Sequence, residues 1–316
     1  MALTTGNVTI KTSAGTYSTW AAFWDDVGDL TGDITCTVDA SAFTEATAPA
    51  RIGESLNGHT LHVKPITFPT TTDASTGARF TCNYTEEFLD LSFEGPGEVI
   101  IEGVVTVEGT SEPSRAYFFF DIATDFTCTI RRNIIKGCGQ GILENDASLQ
   151  NLNIYNNIIY NTSGIALQTQ NASNLICANN TIQGSASIGL YGNETVNTYE
   201  NNLSYGNTTF DYYAISANCT GNNNADSDGT AENADWGGGG ADNVNSISDP
   251  FNALASDDFT ITAEGVIGTA GKDLSADFTT DFFGVTRSNW TIGACEYVSA
   301  TSTPLFMHQL QFLIGR

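Results

Sequence analysis

The sequence predicts an all-β chain: a single-stranded, right-handed parallel β-helix with a short N-terminal capping helix. Three observations carry this expectation. An asparagine recurs at Asn133, Asn157, Asn180 and Asn202, at spacings of 24, 23 and 22 residues. A second landmark, a small residue followed by an aliphatic one, moves in step with it at Gly141-Ile142, Gly164-Ile165, Gly189-Leu190 and Ala214-Ile215. The composition agrees, with only 15% charged residues, 31 glycines and many Asn, Ser and Thr, as turn-rich β proteins require. A period of roughly 22–25 residues suits a leucine-rich repeat or a β-helix. Leucine is too sparse for the first, and no helical segment completes each repeat, so the β-helix remains.

The elements follow in chain order. Residues 1–30 form an N-terminal segment in which Ser18–Leu30 reads as the one good helix. Ser18 or Thr19 serves as N-cap, and Trp20, Phe23 and Trp24 share one face. A solenoid must cover its terminal coil or polymerise through it, so this helix is expected to cap the first coil; the alternative is a partner-docking helix. Residues 31–299 form the solenoid. Early strands are expected at Ile34–Asp39, Leu61–Lys64, Arg79–Asn83 and Val99–Glu108, with 65–78 bulging out as a loop. The regular coils span 126–220, and 221–248 interrupt them with a run rich in Gly, Asn and Asp.

Equivalent residues on successive coils stack about 4.8 Å apart, so the asparagine column is expected to form an internal hydrogen-bonded ladder. The residue after each asparagine (Ile134, Ile158, Thr181, Leu203) and the second aliphatic column (Ile142, Ile165, Leu190, Ile215) are expected to face inward. The third place (Lys136, Tyr160, Gln183, Tyr205) is expected to face solvent. Residues 300–316 make an apolar tail carrying Leu305, Phe306, Met307, Leu310, Phe312, Leu313 and Ile314. It either folds back on the last coil or anchors the protein to a partner or to copies of itself.

Charge narrows the partners. The net charge is −25, and no Lys or Arg occurs between Gly137 and Gly271. Such a field repels nucleic acid and anionic membranes. No apolar stretch is long enough for a membrane span. The N-terminus MALTTGNVTIKTSAG shows no basic and apolar leader. Seven scattered cysteines without a C-x-x-C pair are read as free thiols packed in the core rather than a zinc or redox site.

The C-terminal region carries a set of motifs: Asp249-Pro250-Phe251, then Asp281, Gly284 and Arg287 in a turn, then Ile292-Gly293-Ala294 with Glu296 and Tyr297. This resembles the closing segment of the right-handed parallel β-helix proteins of the pectate-lyase-like superfamily, of the kind found in phage virion and surface proteins. Thr291 stands where that family usually has Asp. The resemblance covers roughly residues 126–297 and implies the fold. It leaves activity open, because the superfamily includes lyases, hydrolases, adhesins and phage proteins. Physically, Arg287 is expected to pair with Asp281 or Glu296 and close the last coil.

A lyase of this family implies Asp ligands for Ca²⁺ and an Arg or Lys base. Arg131, Arg132 and Lys136 cluster in one coil, but no matching Asp column adjoins them. The motif elements of a pectin hydrolase are missing from the sequence. One cation motif stands out: Asn224, Asp226, Asp228 and Asp235 match the oxygen-ligand spacing of a calcium loop, with Asp in place of the terminal Glu and no flanking helices. Tyrosines fill the repeat region, and Tyr160 and Tyr205 are candidate glycan-facing residues. These observations lead to a non-enzymatic structural or adhesive protein of a virion or extracellular surface, most plausibly a phage decoration or fibre component. The alternative is a polysaccharide-acting lyase or hydrolase, or a glycan-binding module. Expected partners are itself or other surface proteins through the tail, and glycans.

Overall fold

The computed structural model describes residues 2–49, 54–119, 126–145, 151–193, 198–214, 219–232, 242–262 and 265–297. The chain is an all-β parallel solenoid of about eight turns. Three sheets of nine, eight and six strands run along it, and each strand pairs with its equivalent one rung away. The first sheet begins at Gly6–Ile10 and ends at Thr220–Asn222; the second runs from Ala42–Glu45 to Ala225–Asp226; the third runs from Leu89–Leu91 to Phe210–Ala214.

Register explains the core. On the first sheet Cys36, Val63, Ile101, Ile130, Ile154 and Cys177 lie partner to partner and fully buried. All seven cysteines are free and buried, and burial raises the Cys36, Cys128 and Cys138 thiols above their usual range. At the N-terminal end the helix Trp20–Trp24 is capped by Thr19, whose hydroxyl accepts from Ala22 N at 3.1 Å. Trp20 stacks on Phe88 at 4.7 Å and packs on Phe80 at 4.8 Å, so the helix plugs the interior where the first rung lacks strands of the other two sheets. The solenoid therefore starts inside the segment 1–30, at Gly6, rather than after it.

The asparagines stack as a buried column. Each Oδ1 accepts from the backbone N–H one rung back: Val104 to Asn133, Asn133 to Asn157, Asn157 to Asn180, and Asn180 to Asn202, at 2.8–3.1 Å. Each Nδ2 donates to a carbonyl such as Ile101, Ile130, Ile154 or Cys177. Asn224 and Asn243 continue the column toward the C-terminus.

Two assignments of side differ from the sequence expectation. Because the ladder asparagine itself turns inward, the next residue turns outward under the same period-two rule. Ile134, Ile158 and Leu203 therefore face away from the interior, while Ile135, Ile159 and Ile182 fill it. On the third sheet Ile142 pairs with Leu167 rather than Ile165, and Leu190 pairs with Tyr212; Ile215 lies outside the described residues.

Asn243 and Val244, which bridges Ala225 in parallel, still follow the solenoid. Residues 249–262 and 265–297 then fold back along the outside of the second sheet and bury it under a second core. There Phe251, Phe259, Phe282, Ile292 and Cys295 cover Ile134, Ile158, Tyr160 and Leu203. The residue before each ladder asparagine anchors this strap. Arg132, Asn156, Asn179, Asn201 and Asn223 all adopt φ of 50–58°, a conformation that Asn tolerates well. Their side chains donate to strap carbonyls of Phe282, Thr280, Thr291, Lys272 and Ala270 respectively. Arg287 pairs with Glu296 at 3.2 Å and also reaches Asn156 Oδ1 at 2.7 Å, so it locks the strap to the side of the solenoid. Asp281 accepts backbone N–H groups of Phe283, Val285 and Glu296 instead of pairing with it. The tail 300–316 lies outside the described residues.

Candidate functional site

The proposed calcium loop lies partly outside the described residues, and its described members are engaged in backbone contacts. Asn224 belongs to the asparagine ladder, bonding Tyr199 O through Nδ2. Asp226 accepts the backbone N–H of Gly229, Ala231 and Ser246 at 2.5–2.8 Å. Asp228 accepts from Asp211 N and from Thr230. These carboxylates satisfy turn amides around the last coil, and Asp235 lies outside the described residues. Among the described residues no group of three or more His, Cys, Asp or Glu is placed to hold a metal ion.

The three basic residues suggested by a lyase reading are all ion-paired. Glu102, buried on the first sheet, receives Arg131 at 2.9 Å, Arg132 at 3.2 Å and His62 at 3.3 Å. Burial by itself raises its carboxyl, but the hydrogen bonds from His62 and Arg131 and the two guanidinium charges outweigh it and hold the group at about 2. Lys136 pairs with Asp257 of the strap at 2.7 Å. A base must be deprotonated to act, and a cation held beside a carboxylate resists losing its proton.

The two tyrosines singled out as glycan-facing belong to the second core. Tyr160 is 0% exposed, packs on Phe259 at 4.8 Å and donates its hydroxyl to Asp257 Oδ2 at 3.1 Å. Burial, with the Asp257 charge next, pushes its phenol well above the ordinary value. Tyr205 stands half-buried, edge-on to Phe251 at 5.8 Å. Both do point away from the interior, but the strap covers the face they point from.

A partly exposed group of aromatic side chains lies on the third sheet, where Tyr191 and Tyr213 are half-buried. Gln168, Tyr191 and Tyr213 occupy one outward column, partner to partner across three rungs. Tyr191 stacks on Tyr213 at 5.6 Å and 23°, and Phe210 stacks on Tyr213 at 5.5 Å and 17°. Phe210 is 38% exposed, one of few large apolar side chains so open. A polar row continues toward the N-terminus: Gln140 Nε2 donates to Gln168, Arg115 Nε donates to Gln140, and Arg115 pairs with Glu87 at 2.7 Å. Rings, amides and a guanidinium thus lie along one face of the third sheet, with Gln168 itself buried. The sequence held a usable signal. In IGLYG and FDYYA the buried Leu190 and Tyr212 alternate with the outward Tyr191 and Tyr213.

Comparison with known proteins yields no match to a protein-family model, to a curated protein or to a solved structure.

Proposed function

We propose that this protein is a non-enzymatic adhesive component of a virion or extracellular surface, and that it holds glycans on the third-sheet strip. The observation that carries the reading is the stack of the half-buried Tyr191 and Tyr213 with the exposed Phe210 on a rigid parallel sheet. A stiff platform spends little conformational entropy when it binds a flat ligand. The net charge of −25 favours neutral glycans over polyanionic ones. The ion-paired state of Arg131, Arg132 and Lys136 supports adhesion over lyase chemistry. In this reading the apolar tail joins the protein to its surface or to other copies.

The test is a glycan array probed with the native chain and with the Tyr191→Ala/Tyr213→Ala double variant. Retention of neutral glycans by the native chain and loss in the variant supports the reading. Cleavage of any polysaccharide in the same panel would replace it with the enzymatic alternative.

A further inference from the structure

The three sheets finish differently at the C-terminal end of the solenoid. On the third, side chains cap the last strand, Phe210–Ala214: Asp228 Oδ2 accepts from Asp211 N and Thr230 Oγ1 from Tyr212 N, both at 2.9 Å. On the first, Asn243 Nδ2 donates to Gly221 O at 3.3 Å. The second sheet instead gains one more rung at Val244, whose N–H donates to Asn224 O and whose carbonyl accepts from Asp226 N. Successive residues of a parallel strand bond alternately to its two neighbours, so Asn245 turns its backbone N–H and C=O to the far side. Neither group has a partner among the described residues, and Asn245 Oδ1 is buried without one. An uncapped rung is a place where another strand can pair, and a buried oxygen without a donor is costly.

A groove of about 410 Å³ opens on this edge. Residues 244–250 form one side; Ile261, Thr262 and residues 265–267 form the other. Val244, Ile247, Ile261 and Ile267 make much of the lining apolar. Val266, beside them, is 68% exposed, more than the other large apolar side chains described. Apolar walls with an unpaired backbone edge suit an extended peptide whose alternate side chains are apolar.

The chain supplies such a peptide close by. Tyr297 N donates to Thr291 Oγ1, Thr291 Oγ1 donates to Gly268 O, and Ile292 N donates to Ile267 O. Residues 298–316 therefore begin beside the groove wall. Within them Leu310, Phe312 and Ile314 alternate with Gln311 and Leu313, as a strand with one apolar face requires. Residues 298–309 precede that run; extended they reach about 40 Å, and as a linker they hold it near the groove at an effective concentration on the order of millimolar. The segment has no Asp or Glu in a chain with 36 acidic residues, so Asp249 at the groove meets no like charge from it. We infer that this groove seats the chain's own C-terminal tail, with Leu310, Phe312 and Ile314 turned into it and the backbone of that run paired with Asn245. The inference does not depend on glycan binding. It goes beyond the proposed function by naming where the joining segment rests in a free copy; a neighbour's tail joins by remaking the same contact in exchange.

Hydrogen exchange of the full chain, read by mass spectrometry, tests this. Amides of 310–314 are expected to exchange about tenfold or more slowly than in a free peptide of residues 301–316. Leu310→Asp/Phe312→Asp, which puts charge on the apolar face of the run, should bring them to the peptide's rate and speed exchange at Asn245. Val266→Asp, at an exposed position with thermal melting as the control on folding, should weaken the protection. Light scattering at the same concentration should report a monomer. Exchange of 310–314 at the free-peptide rate in the native chain overturns the inference. Protection that Val266→Asp leaves intact, or an Asn245 amide indifferent to the tail variant, places the tail elsewhere and also overturns it. Protection found only in a dimer and lost on dilution gives the groove to a second copy's tail, which overturns docking within one chain and leaves the proposed function standing.

Discussion

Tyr160 and Tyr191 both stand on outward positions of short parallel strands, one on the second sheet and one on the third. Tyr160 is fully enclosed, hydrogen-bonded to Asp257 and packed on Phe259. Tyr191 stacks on Tyr213 at the surface. The strands do not decide this difference. The strap, 249–262 and 265–297, packs on the second sheet, and among the described residues no third-sheet side chain joins that second core. In a solenoid the direction of a side chain follows from rung periodicity, while its exposure depends on what the chain does after the last rung.

The largest break in this contrast should come from Arg287. Its guanidinium is fully buried and pairs with Glu296, Asn156 and the carbonyls of Gly293 and Ala294. Arg287→Met leaves Glu296 buried without its counter-charge and is expected to cost about 3–5 kcal/mol, read by urea denaturation. The strap should then separate before the coils melt, giving two transitions in place of one.

Next in size is the ladder. Asn180→Ala removes the acceptor for Asn157 N and the donor to Ile154 O, both buried. A loss of roughly 2–4 kcal/mol in the same assay is expected, because a buried group is left unsatisfied on each side. Asn153→Ala, at a half-buried position on the outer face of the first sheet one rung before, should stay within about 1 kcal/mol. Equal losses would show that the asparagine column has no special role.

A smaller effect separates the two tyrosines. Tyr160→Phe should cost about 1 kcal/mol by leaving Asp257 one hydrogen bond short. Tyr191→Phe should change stability by less than about 0.5 kcal/mol, as substitutions at half-buried surface positions usually do.

Acid titration sharpens the picture at Glu102. Its folded value of about 2 lies below the ordinary 4.5, so the ion-pair cluster stabilises the fold fully above pH 4.5. That contribution is lost as pH falls from 4.5 toward 2. Glu102→Gln should flatten this part of the stability profile, followed by denaturation midpoints at a series of pH values.

Much of the fold was legible because its signal is periodic. The spacing of Asn133, Asn157, Asn180 and Asn202 reports stacking directly, and Trp20, Phe23 and Trp24 mark the plug through helical spacing. What escaped has no period. The strap contacts join Lys136 to Asp257 and Arg287 to Asn156, far apart in sequence, and nothing local announces them. The inward side was misassigned because the asparagine was placed in the turn without being counted as the first inward residue. The loop from Asn224 to Asp228 resembles a calcium site because turn-capping uses the same short oxygen side chains that bind cations. The candidate surface is partly legible: the repeat shows which tyrosines point outward, but nothing periodic separates the enclosed Tyr160 from the half-buried Tyr191 and Tyr213.

The most direct test of the contrast between covered and open faces is tyrosine nitration of the native protein, with the modified sites mapped by mass spectrometry. Tyr191 and Tyr213 should react quickly, while Tyr160, Tyr199 and Tyr212 stay protected until the protein is denatured. Nitration of Tyr160 at the rate of Tyr191 would contradict the account, because it would mean that the strap does not cover the second sheet in solution.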